Sequence, residues 1–95
     1  VPIVERGSVV SLVVLSLSLE VAQGSSEQVY AREPKIRDAF LQVLFDHANS
    51  GGFQGNFTDS ANMVILRTAL REVAIEVLGD LVTDVLIADY TRQDA

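Results

Sequence analysis

The sequence predicts an α+β fold, a small sheet of a β-hairpin plus a C-terminal strand, in the order β-β-α-α-β, covered by two main helices. Three observations carry this. Leu15, Leu17, Leu19 and Val21 alternate with Ser16, Ser18 and Glu20, the two-residue period of a half-buried strand. Between Ile36 and Val77, apolar residues recur twice at helical spacing. After Gly79 comes a last apolar run rich in Val, Leu and Ile, the composition of a strand. All 95 residues are read as a single domain, because a chain of this mass builds one modest core and not two.

The elements follow in order. Residues 1–5 form a short apolar strand, with Pro2 near its start, where Pro is tolerated. Arg6-Gly7-Ser8 is a turn signal. Residues 9–22 form a long strand with two different halves. In the second, leucines hold one face and serines the other. In the first, Val10, Leu12 and Val14 occupy the face that later carries the serines, so this end is apolar on both sides and calls for a cover. Ser25 with Gln28 has the spacing of a capping box and starts a short helical piece at 27–32. Pro34 interrupts it and fits the first turn of the next helix. There Ile36, Ala39, Phe40, Val43 and Leu44 mark the core face, widened by Leu41 and Phe45.

Residues 49–57 are a loop with three of the six glycines. Thr58, Asp59 or Ser60 caps the second main helix, whose stripe is Met63, Leu66, Leu70, Val73 and Val77. Gly79 suits its end. Residues 81–92 are the last strand, with Val85 and Ile87 on one face and Leu86, Ala88 and Tyr90 on the other. Apolar on both faces, it reads as central or as paired with a partner.

Composition excludes several functions. With no cysteine there is no disulfide, thiolate metal site or cysteine nucleophile. A net charge of −6 argues against binding a nucleic-acid backbone, which takes clustered Lys and Arg. The longest apolar run falls short of the about 20 residues that cross a bilayer. The chain opens on Val, the expectation for a processed product or an excised domain with an anchor upstream.

The motifs are weighed against plain structural roles. Gly52-Phe53-Gln54-Gly55 has the G-x-x-G form of a KH nucleic-acid loop. No Lys or Arg occurs between Arg37 and Arg67, so a flexible connection is the better reading. His47, the single histidine, follows Asp46, but adjacent helical residues diverge and no ligand spacing accompanies them. It reads as a helix-end histidine at the negative end of the dipole. There is no G-x-S-x-G and no complete catalytic constellation, so no enzyme is predicted, and no metal or cofactor. Glu76, Asp80, Asp84, Asp89 and Asp94 read as a solvated acidic face. Phe53 and Phe57 either tuck into the domain or anchor a partner. Arg37 and Asp38 open the charged side of the first main helix.

Three segments together resemble a known family. LSLSLEV at 15–21 leads to REPKIRDA at 32–39, and VTDVLIADYTRQ at 82–93 closes the chain. This succession resembles the periplasmic domain of the FliL family, proteins of the flagellar basal body, along most of residues 1–95. The resemblance implies a core like that of stomatin and prohibitin (SPFH-like) and a single-pass inner-membrane anchor upstream. It implies a non-enzymatic accessory that forms a homo-oligomeric ring and supports the MotA/MotB stator, aiding torque and motility. On that reading Val10, Leu12 and Val14 are candidates for self-association. Arg37, Asp38, Phe53 and Phe57 are candidates for contact with the stator or a neighbour. The alternatives are an anchored periplasmic interaction module of another assembly, or a KH-like nucleic-acid binder.

Overall fold

The computed structural model describes residues 1–53 and 58–94. Strands β1 (Pro2–Glu5) and β2 (Ser8–Val21) form a hairpin. Its loop is Arg6 and Gly7, with φ of 51° and 78°. Positive φ at both positions gives the twist a two-residue hairpin loop needs. Helices α1 (Ser26–Ala31), α2 (Glu33–Asn49) and α3 (Ser60–Leu78) follow, then a 3₁₀ turn (Gly79–Leu81) and strand β3 (Val82–Asp94). The strands are antiparallel in the order β1-β2-β3. This is the α+β arrangement the sequence predicts, a hairpin and a returning strand under two main helices.

The helices start and stop for local reasons. Asp59 caps α3, its carboxylate accepting the Ala61 N–H at 3.0 Å. Gly79 ends α3 with φ 62°, and its N–H still reaches the Ile75 carbonyl. Pro34 sits in the first turn of α2, where its missing N–H costs nothing. The Ser25 capping box does not form. Ser25 is buried, and its hydroxyl donates back to the Ala22 carbonyl, so it fastens the strand end and not the helix.

The core lies between the helices and one face of the sheet. α2 contributes Ile36, Phe40 and Leu44, and α3 contributes Leu66, Leu70, Ala74 and Leu78. These meet Ile3, Val13, Val82 and Val85 of the sheet. The stripe on α3 is rotated from the predicted one: Ala74 and Leu78 are buried, whereas Val73 and Val77 sit at its margin. Leu15, Leu17 and Leu19 line the same face, half-buried.

β2, not β3, is the central strand. Two irregularities in the β2–β3 register explain why β3 reads as apolar on both faces. Ser16 pairs with Asp89 and Leu17 with Ile87, leaving Ala88 extra; Glu20 pairs with Asp84 and Val21 with Val82, leaving Thr83 extra. Each extra residue shifts the alternation by one. Tyr90 therefore pairs with Leu15 and shares its face, together with Ile87 and Val85, and not that of Leu86. The carboxylates next to the two extra residues are used locally. Asp84 accepts the Val85 N–H at 2.8 Å and Asp89 the Tyr90 N–H at 2.9 Å.

β1 is much shorter than β2. Val1 exchanges both backbone hydrogen bonds with Val13, the last pairing on that side of β2 among the described residues. On the other side Asp94 stands opposite Ser11. Val1 and Asp94 thus flank β2 two positions apart.

Candidate functional site

The first candidate is the open face of the sheet near the hairpin. The β1–β2 register leaves Val10 extra, because Ile3 pairs with Ser11 while Val4 pairs with Val9. Cross-strand partners share a face, so Val4, Val9, Leu12 and Val14 all point away from the helices. They are between 41% and 57% exposed. Pro2, opposite Leu12, joins them. Thr91 and Gln93 of β3 border the patch, standing opposite Val14 and Leu12. The cover this end called for is absent from the chain's own described residues.

The predicted trio of Val10, Leu12 and Val14 is therefore divided. Leu12 and Val14 lie on the open face. Val10 is the extra residue of the irregularity, half-buried against the core beside Ile3 and Phe53. The simple alternation that grouped the three fails at that one residue.

The predicted partner contacts do not gather into one site. Arg37 and Asp38 are exposed on the first turns of α2. Phe53 lies at the far end of that helix and is 1% exposed, so it is a core residue and offers nothing to a partner. Of the two readings of that aromatic, the structure selects burial. Phe57, like Gln54 and Gly55 of the G-x-x-G loop, lies outside the described residues.

Phe53 is held by a small cluster that sequence spacing did not predict. Its ring meets that of His47 edge-on, with centroids 4.8 Å apart and planes at 74°. Arg92 of β3 donates to the Phe53 carbonyl at 3.2 Å, and Asn62 of α3 to the Gly52 carbonyl at 2.8 Å. Gly52 lies flat against the imidazole: a Cβ there would stand 2.3 Å from His47 Nε2. Nε2 is buried without a hydrogen-bond partner among the described residues. Burial lowers the His47 pKa below 6.5, partly offset by the Gly52 backbone. The imidazole acts here as a packing group for the loop. Position 47 near the helix end was legible; the ring stacking under a glycine left no pattern in the sequence.

A groove of about 360 Å³ runs between β2 and α2, lined by Leu15, Leu17 and Leu19 on one side and Ile36, Phe40 and Leu41 on the other. Glu33 and Arg37 stand at its mouth.

Among the described residues, no three His, Asp or Glu side chains stand together as metal ligands. No helix among them is long and apolar enough to cross a membrane. Asp94 accepts the Ser11 hydroxyl at 2.8 Å and pairs with Arg92 at 3.4 Å, so this end of the acidic face is tied down. No family model matches the chain, and no curated protein matches it either.

Proposed function

We propose that this chain is a non-enzymatic assembly module, the periplasmic domain of an anchored inner-membrane protein resembling FliL, which self-associates and supports the MotA/MotB stator. One observation carries the self-association: four apolar side chains, Val4, Val9, Leu12 and Val14, exposed together on a sheet face that no other described element covers. An exposed contiguous patch of this kind marks an interaction surface in a soluble domain. The stator as partner rests on the resemblance of the three segments, which fall on β2, the α1–α2 corner and β3. The acidic balance, net −6, suits a protein partner better than nucleic acid or anionic lipid.

Site-directed disulfide crosslinking tests both parts. The chain has no cysteine, so each introduced thiol reports one position without background. Single cysteines at Leu12, Val14 and Arg37 of the membrane-anchored protein are combined with cysteines in the periplasmic part of MotB. Copy-to-copy bonds at Leu12 and Val14, with bonds to MotB at Arg37, are the expected result. Copy-to-copy bonds alone would leave an assembly module of another machine. No bonds at any position, with folded protein present, would defeat the reading.

A further inference from the structure

We propose that His47 and the loop folded over it, residues 50–53, form a proton-sensitive latch: protonation of the imidazole lifts Gly52 off the ring and draws Phe53 out of the core.

The first support is how the loop is fastened. Past the end of α2 stands a left-handed glycine, Gly51, with φ 81°. There the chain turns back. The Gly51 N–H donates to the Ala48 carbonyl at 3.0 Å, and the Gly52 N–H to the His47 carbonyl at 2.9 Å. This pair of bonds closes a helix end, and an apolar contact between its two outermost residues commonly goes with it. Those residues are His47 and Gly52, so the contact is a glycine laid on an imidazole. A Cβ at position 52 would meet Nε2, Cδ2 and Cε1 first, the outer end of the ring. Gly52 therefore closes over the ring tip, where Nε2 is buried.

The second support is the chemistry of that nitrogen. A neutral imidazole can hold its proton on Nδ1 and leave Nε2 bare, whereas an imidazolium carries a hydrogen on both. Nε2 has no hydrogen-bond partner among the described residues. A proton placed there is a buried charge with nothing to bond to, which is costly. The charged groups on the surrounding elements are occupied elsewhere. On α2, Asp46 accepts from Gln42, and at the start of α3 Asp59 accepts from the Ala61 N–H. On β3, Arg92 donates to the Phe53 carbonyl and pairs with Asp94. On β1, Glu5 lines the same hollow as Phe53. None of them bonds to Nε2. Burial lowers the His47 pKa, the direction this arrangement requires.

The third support is the path of release. Because Gly52 covers the ring tip, an imidazolium gains water there only when Gly52 moves. Once free, it sits at a helix C-terminus, which favours a cation. Phe53 follows Gly52 directly, leans edge-on against the imidazole, and shares its hollow with Ile3 and Val10. Lifting Gly52 takes Phe53 from both. Two side-chain bonds resist, from Asn62 to the Gly52 carbonyl and from Arg92 to the Phe53 carbonyl. Water can serve both carbonyls once the loop is out. The closed loop is fully favoured above about pH 6.5 and is lost as pH falls through the lower pKa of the closed state. Acid thus releases an aromatic side chain at the hairpin end of the sheet. The latch does not depend on the assembly reading.

The test is a pH titration of the 95-residue protein by NMR, in which the single histidine gives unambiguous ring signals. His47 should titrate below 6.5. At the same midpoint the His47–Phe53 contact should disappear. Protection of the Gly52 amide, corrected for intrinsic exchange, should fall by up to about tenfold for each pH unit between the closed and open pKa values. The amides of Leu66 and Leu70 should keep their protection. His47→Gln and His47→Phe cannot take the charge, and in either one Gly52 protection should not vary with pH. An imidazole that titrates while Gly52 and Phe53 stay in place would overturn the proposal. So would the same pH dependence in the uncharged variants, or a loss shared by Leu66 and Leu70, which is unfolding of the whole domain.

Discussion

The two ends of the long β2–β3 ribbon are built from similar residues and have opposite fates. At the far end, Leu17 and Leu19 of β2 meet Ile87 and Val85 of β3 and pack against the helical core. At the hairpin end, Val9, Leu12 and Val14 are equally apolar but face away from the helices, and nothing in the described chain covers them. Hydropathy is the same; the difference is which face a residue occupies. That is decided by one extra residue, Val10, and by the lengths of the flanking strands. An apolar side chain is core only where an element of the chain reaches it.

This contrast can be broken at its strongest point first. Leu70→Ala removes a fully buried side chain from α3 and should destabilise the domain by about 2–5 kcal/mol, read by urea titration. Next comes the loop cluster. Gly52→Ala drives a methyl group into the His47 ring, and the imidazole must move or the loop must lift. A loss of about 1–3 kcal/mol is expected, with the His47–Phe53 contact broken in NMR.

A smaller effect is expected from pH. Burial holds the folded His47 pKa below 6.5, so the unfolded chain takes up a proton there more readily. This contribution is fully present above about pH 6.5 and is lost as pH falls through the lower folded value. His47→Gln should flatten that part of the stability profile between pH 7 and 5, and an unchanged slope would show that other groups set it. The smallest effect belongs to the open face. Leu12→Ser with Val14→Ser should change stability by no more than about 0.5 kcal/mol each, because both are already in water. A large loss would mean that this face is covered after all.

Much of the fold was legible because its signals are local. The period of two at Leu15–Val21, the stripe through Ile36, Phe40 and Leu44, and the cap at Asp59 each arise within a few residues of chain. What escaped depends on pairing across the sheet. Tyr90 changes face because Ala88 has no partner on β2, and Val10 leaves its predicted companions for the same kind of reason. Sequence alternation gives no warning of an inserted residue in an otherwise apolar strand. The place of Phe53 depends on contacts far along the chain, such as Arg92, thirty-nine positions away, which holds its carbonyl.

Val1 and Asp94 sit on either side of β2, two positions apart, with β1 and β3 running in the same direction. Mechanically, both ends of the described chain therefore leave from one pole of an ellipsoid 45 Å long. A load that draws Val1 sideways opens the β1 ladder one pair at a time. The same load on Asp94 meets the much longer β2–β3 ladder. The weak strand would yield before the strong one, leaving the helical layer unstrained.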